Sequence, residues 1–189
     1  MLADLLGAEL ILEKAETNPF LADFYGDKGR WALQTQLAFL ITRHQQQVSV
    51  RQMNLFHQKV VADYILEKDA IFARLTLDER EYKLYQHIAN YLSNEAATPD
   101  LVVFLQSSPE RLLTNINIRD IKYEREITQE YLEQLCETYN HFFKSWTKCP
   151  LLVVNASLID FVHCPEDQRK LVDRILTMPE VGRVNYPEV

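Results

Sequence analysis

Four short runs of consecutive apolar residues, separated by long helical stretches, constrain the fold of this chain more than any other feature. They cover residues 9–13, 60–63, 100–105 and 151–155, the last two led by Pro99 and Pro150. Unbroken apolar runs, unlike alternating ones, fit strands covered on both faces, as in a parallel sheet. Between them, residues 30–56 contain no Pro or Gly and carry a stripe through Trp31, Leu37, Leu40 and Ile41. Residues 78–93 follow Asp78 as N-cap, and residues 109–117 open on Pro109. Residues 128–146 start from Thr128 and residues 165–177 from Pro165. Residues 1–6 read as the tail of a helix closed by Gly7. Strands alternating with helices predict an α/β fold with a mostly parallel sheet. At 189 residues the chain suits one domain, 1–189.

Glycine restricts the chemistry. Only Gly7, Gly26, Gly29 and Gly182 occur, and neither G-x-G-x-x-G nor G-x-x-x-x-G-K-[ST] can be written through them. Backbone amides approach phosphate closely where glycine removes the side chain. No phosphate loop of either standard kind is therefore present in these residues.

Twenty basic against twenty-seven acidic residues give a net charge of −7, which argues against nucleic acid as a partner. Cys136, Cys149 and Cys164 are odd in number and widely spaced, as expected of buried thiols in a reducing cytoplasm rather than of a zinc site. The five histidines form no H-x-x-x-H pair. The N-terminal apolar run is interrupted by acids and lacks a basic flank, so no signal peptide is expected, and no run is long enough for a membrane partner.

In open α/β sheets, ligands sit beyond the carboxyl ends of strands. Glu13 and Asp63 each end a predicted strand, and two acids there suit a general base and a cation ligand, or else solvated turns. Gln36 and Arg43, seven apart, share one helical face. An amide and a guanidinium can hydrogen-bond the edge of a planar heterocycle, or form an exposed polar stripe. Asp69 is placed to orient such an arginine. Residues 119–124 read as a mobile loop with two cations and two acids.

Together these segments resemble the deoxynucleoside kinase family, particularly its bacterial deoxyadenosine/deoxyguanosine kinase branch, over residues 1–178. The resemblance rests on residues 13–20 (EKAETNPF), Phe24-Tyr25, Gln36 with Arg43, residues 63–73 (DYILEKDAIFA) and residues 99–110 (PDLVVFLQSSPE). It continues through Tyr123-Glu124, Ile127 and Glu130-Tyr131-Leu132. It implies a P-loop-kinase-like three-layer sandwich that transfers the γ-phosphoryl group of ATP to the 5′-hydroxyl of a purine deoxynucleoside, with Mg2+. By position, Glu13 would accept the 5′-hydroxyl proton, and Gln36, with Arg43 and Asp69, would read the base. Tyr25 and Glu124 would hold the sugar 3′-hydroxyl, and Trp31 and Phe72 would wall the pocket. Asp63 would face magnesium, Arg119 would be a lid arginine, and Asp160-Phe161 would lie near the adenine of ATP. Relatives of this kind imply a cytoplasmic homodimer.

The departures from the family pattern are specific. Its central first strand and phosphate loop, which precede the helix that survives here as residues 1–6, are missing. The acid-Arg-Ser after the third strand reads Asp63-Tyr64-Ile65, and Asn115 and Ile121 stand where two lid arginines would be, leaving Arg119 and Lys122. Three readings stay open. In one, the start has been placed at an internal methionine, and roughly 25 to 30 residues precede it. In another, the chain is a non-catalytic homologue that binds nucleosides or acts as an assembly subunit. In the third, it is a different P-loop-related kinase of small metabolites. The missing strand further predicts that residues 60–63 and 100–105 are neighbours around a vacancy.

Overall fold

The computed structural model describes residues 1–54, 59–92 and 97–187. The last residues of two predicted helices, 55–56 and 93, lie outside that set. The elements run α1 (Leu2–Leu6), β1 (Glu9–Ile11), α2 (Leu21–Gly26), α3 (Lys28–Asn54), β2 (Val60–Ala62), α4 (Lys68–Thr76) and α5 (Glu79–Leu92). They continue as β3 (Val102–Gln106), α6 (Pro109–Arg119), α7 (Gln129–Lys144), β4 (Leu151–Asn155), α8 (Pro165–Leu176) and β5 (Arg183–Tyr186). The chain forms two compact units.

One unit comprises residues 1–6, 98–121 and 127–189. Its sheet is parallel in the order β3-β4-β5, with Val102 opposite Leu151 and Leu151 opposite Arg183. Leu152 and Val154 pack with Leu171 of α8, joined by Leu2, Val103 and Ile175. The alternate residue Phe104 stacks on Phe143 of α7 at 4.4 Å between ring centroids, and on Tyr139. Helices thus cover both faces of this sheet, and residues 151–154 are buried throughout, as unbroken apolar runs require. The helices start where local chemistry sets them. Ser108 Oγ accepts from the Arg111 amide, and Thr128 Oγ1 from the Tyr131 amide, both at 3.3 Å. Gly7, with φ of 60°, follows α1 in the left-handed conformation that suits glycine. The fifth strand, β5, escaped the sequence reading because its polar sequence, RVNY, holds no apolar run.

The other unit comprises residues 7–97 and 122–126. β1 and β2 form a parallel pair, Glu9 opposite Val60 and Ile11 opposite Ala62. Here the expectation of double cover fails, since Leu10 and Leu12 are 48% and 50% exposed. Helices dominate this unit. Leu40, Ala73 and Tyr85, from α3, α4 and α5, form one core, and Leu21, Phe24 and Ala32 form another. Asp78 caps α5 by accepting from the amides of Arg80 and Glu81 at 2.8 Å, while Glu81 reaches back to the Asp78 amide. α4 was not anticipated, because its acidic and basic residues interrupt its apolar stripe.

No ladder joins residues 60–63 to residues 100–105. The ladder of β2 runs to β1 and that of β3 to β4, so the two strands belong to separate sheets. The predicted loop at 119–124 runs into a 3-10 turn at Lys122–Glu126, preceded by Asp120 in the left-handed conformation with φ of 50°. The three cysteines are half-buried free thiols. Among the described residues no helix is long and apolar enough to cross a membrane.

Leu152 is fully buried between β3 and β5, so Leu152→Ala is expected to cost about 2–5 kcal/mol of stability, read from the midpoint of urea unfolding.

Candidate active site

The segment after β1 is fixed first by Asn18. Its buried side chain donates to the Thr35 carbonyl at 3.0 Å and accepts from the Phe20 amide at 3.1 Å. The Thr35 hydroxyl returns a bond to the Phe20 carbonyl at 3.4 Å. Gln46 donates to the Leu12 carbonyl at 3.4 Å, holding the exit of β1 against α3. Tyr64 donates to Gln46 from the β2 side, and Asp63 donates its amide to the Ile11 carbonyl at 2.8 Å.

These anchors bring Glu13 to Arg43 of α3. Arg43 Nε donates to Glu13 Oε1 at 2.6 Å, Nη2 donates to the same oxygen, and Nη1 donates to Asp69 Oδ1 of α4. Lys68, the first residue of α4, donates to the second oxygen, Glu13 Oε2, at 2.6 Å. Both oxygens of the candidate base are thus engaged by cations. The Arg43 guanidinium lies 4.7 Å from the centre of the Phe39 ring and 5.4 Å from that of Tyr64. The pairs differ in depth. Side chains of Arg43 and Asp69 are 4% and 2% exposed, those of Lys68 and Glu13 25% and 15%.

The electrostatics follow from that depth. Burial pushes the Glu13 carboxyl up, but Lys68 and Arg43 together outweigh it and hold the group below its ordinary value. At Asp69 burial wins over Arg43, Glu13 adds repulsion, and the group is pushed up to about 6. For Arg43, burial works against the charge, yet Asp69 and Glu13 raise it above its ordinary value. Asp63 is raised by desolvation and by Glu13, against the pull of Lys68. Burial lifts the Tyr64 hydroxyl to about 12.

Among the described residues of this unit, two buried acceptors have no hydrogen-bond partner, Gln36 Oε1 and Asp69 Oδ2. Gln36 lies on α3 two turns before Arg43, as its spacing predicted, and is fully buried. The bland alternative, an exposed polar stripe, is therefore excluded. Trp31 stacks on Phe20 at 5.8 Å. Phe72 is half-buried, with the Lys68 ammonium 5.8 Å from its ring centre. Tyr25 stacks on Tyr123 at 5.7 Å, which brings the turn carrying half-buried Glu124 to α2. The unit thus gathers nine sequence-predicted residues: Glu13, Tyr25, Trp31, Gln36, Arg43, Asp63, Asp69, Phe72 and Glu124.

Arg119, Asp160 and Phe161 belong to the other unit. Arg119 is the exposed last residue of α6. Asp160 accepts from the amides of Val162 and His163 at 3.2 and 3.0 Å, a turn that leads into α8, and Phe161 packs on the core of that helix. Lys68 was overlooked as a site residue. Its signal was a cation directly before Asp69 in a segment already singled out, but nothing in spacing alone aims it at Glu13.

Among the described residues no group of three or more His, Cys, Asp or Glu side chains could hold a metal ion. Asp63, the sequence-predicted metal ligand, is an exposed residue directly after β2 and belongs to no such group.

The family profile for deoxynucleoside kinases matches residues 1–179. The chain belongs to the deoxynucleoside kinase family. Members of this family are phosphotransferases. A deoxyguanosine kinase of Bacillus subtilis is 29% identical over 180 residues, spanning 93% of this chain and 87% of its own. A deoxyadenosine kinase of Dictyostelium discoideum is 30% identical, spanning 98% and 76%. A solved deoxyadenosine kinase of M. mycoides with bound dATP superposes with a TM-score of 0.75 at 26% identity, covering 92% of this chain and 89% of that one. Its complex with dCMP and a flexible dCDP gives 0.78 at 23% identity, covering 93% and 90%. The α/β fold with parallel sheets is thus that of the kinase family.

Asp69 yields a test with a definite sign. A carboxyl raised to about 6 takes up its proton in the folded state before the unfolded chain does. It therefore favours folding increasingly as pH falls from 7 towards 4. Relative to Asp69→Asn, the unmodified protein should gain stability between pH 7 and pH 5 in urea unfolding. A gain in the opposite direction would mean that Arg43 keeps Asp69 ionised.

Proposed function

We propose that this chain binds a purine deoxynucleoside and supplies the base-reading and proton-accepting side of a deoxynucleoside kinase acting in nucleotide salvage in the cytoplasm. The observation that carries the reading is the pair of buried, unpartnered acceptors, Gln36 Oε1 and Asp69 Oδ2. Leaving such atoms unpaired costs about 1–3 kcal/mol each, so a ligand that donates to them is favoured. The exocyclic amino group of adenine or guanine donates two hydrogens, and the Gln36 amide can donate to a ring nitrogen. The purine nucleoside kinases among the relatives support the same preference.

Glu13 is the proton acceptor in this reading. The 5′-oxygen forms a bond to the γ-phosphorus of ATP, the bond from that phosphorus to the β–γ bridging oxygen breaks, ADP departs, and the hydroxyl proton passes to Glu13. The cations around Glu13 keep it ionised and oriented. Tyr25 and Glu124 hold the 3′-hydroxyl, and Trp31 and Phe72 flank the nucleoside. Asp63 would hold the nucleotide's magnesium, which neutralises developing phosphate charge when bound. The roles of Arg119 as lid cation and of Asp160-Phe161 beside the ATP adenine rest on the resemblance. A non-catalytic, nucleoside-binding role is the second reading, favoured by Tyr64-Ile65 after Asp63 and by Asn115 and Ile121, which stand where the resemblance places arginines.

Calorimetry should show deoxyadenosine or deoxyguanosine binding, weakened about tenfold or more by Gln36→Ala. Deoxyinosine, which lacks the exocyclic amino group, should bind about tenfold more weakly than deoxyadenosine. Equal affinities would remove the base-reading role. The 189-residue chain itself should show no ATP-dependent phosphorylation of either nucleoside, and turnover would show that these residues cradle phosphate without a loop.

We also infer a homodimer, because α3 and α5 leave Ile41, Leu84 and Tyr91 exposed. Sedimentation should return twice the 22.2 kDa of the chain, and a monomer at micromolar concentration would refute it.

A further inference from the structure

We propose that Lys68 is a phosphate-binding residue that exchanges its ion pair with Glu13 for the 5′-phosphate of a deoxynucleoside monophosphate, uncovering the carboxylate as phosphate arrives. The inference rests on the nucleoside reading of the site given above.

Three observations on one cluster lead to it. First, the two cations on Glu13 are not equivalent. Arg43 is already committed through Nε, Nη1 and Nη2 to Glu13 and Asp69, and is almost fully buried. Moving it would strand two carboxylates in the interior. Lys68 has 25% of its side chain exposed and, among the described residues, is the one side chain that donates to Glu13 Oε2, so it can change partner without disturbing the buried pair. Second, the oxygen that Lys68 covers is the less occupied one. Glu13 Oε1 carries both bonds from Arg43, which leaves Oε2 as the oxygen able to meet a substrate hydroxyl. While Lys68 sits on it, the base is masked. Third, Lys68 opens α4 five residues after Asp63 and pulls on both Asp63 and Glu13.

The exchange is favourable in charge. An ammonium carries three donors on a flexible stem and moves readily between acceptors, and a phosphate dianion outbids a single carboxylate. The Phe72 ring, 5.8 Å from the ammonium, offers it an aromatic neighbour. Loss of Lys68 from Glu13 also withdraws a charge that depresses the carboxyl, making it a better proton acceptor when the phosphoryl group is near. No covalent bond changes in the exchange.

The test uses the 189-residue chain, with deoxyadenosine and deoxyadenosine 5′-monophosphate as probes in calorimetry. The quantity read is the ratio of the two affinities in each variant, so that any general loss cancels. In the unmodified protein the monophosphate should bind at least as tightly as the nucleoside. Lys68→Met should lower the monophosphate-to-nucleoside ratio about tenfold or more, and Lys68→Arg should restore it. Glu13→Gln removes the competing anion and should raise the ratio above that of the unmodified protein. A Lys68→Met variant that weakens both probes equally, or neither, would overturn the proposal and leave Lys68 a structural partner of Glu13. If the unmodified chain binds neither probe, the nucleoside reading fails and this proposal with it. Binding of the nucleoside with a ratio insensitive to Lys68 refutes the present proposal alone.

Discussion

A single guanidinium, that of Arg43, holds the candidate site together. It comes from the middle of α3 and joins a carboxylate that follows β1 to another in the first turn of α4. Three separate stretches of chain thereby meet at one buried charge. Burying ions is costly unless each is paired, and removing one partner of such a set typically costs about 3–5 kcal/mol. The cluster also joins two depths. Arg43 and Asp69 lie inside, whereas Glu13 and Lys68 reach towards the surface, so the inner pair fixes geometry and the outer pair retains freedom.

The same depth gradient separates the two carboxylates chemically. Glu13 has two cations and is held ionised; Asp69 shares one arginine, keeps an oxygen without a partner and is raised. Two acids pushed in opposite directions within one cluster can take different tasks, one handling a proton and the other offering a fixed acceptor. That division agrees with a family whose members phosphorylate deoxynucleosides, and it arises from burial and neighbours rather than from any motif.

Much of this arrangement could be read from the residues. The seven-residue spacing of Gln36 and Arg43 places them on one face, and both are buried there. The unbroken apolar run at 151–155 gives a buried strand, because helices cover both faces of its sheet. The equally apolar residues 9–13 do not follow, because β1 is three residues long and pairs with an equally short strand, leaving Leu10 within it and Leu12 just after it exposed. β5 was hidden by its polar composition, and Lys68 by the fact that its partner lies fifty-five residues earlier. Periodicity reports which face a residue shares, but not which distant side chain it will meet.

The ring of Tyr123 has an architectural consequence. It stacks on Tyr25 from a turn ninety-eight residues further along the chain, and that five-residue turn belongs to the unit otherwise built from residues 7–97. The unit is therefore discontinuous, and truncation after residue 97 would strip an aromatic neighbour from α2 together with Glu124. Dissecting this protein into contiguous halves would divide this stacked aromatic pair between two fragments, so recombining them, rather than studying either alone, is the way to recover it.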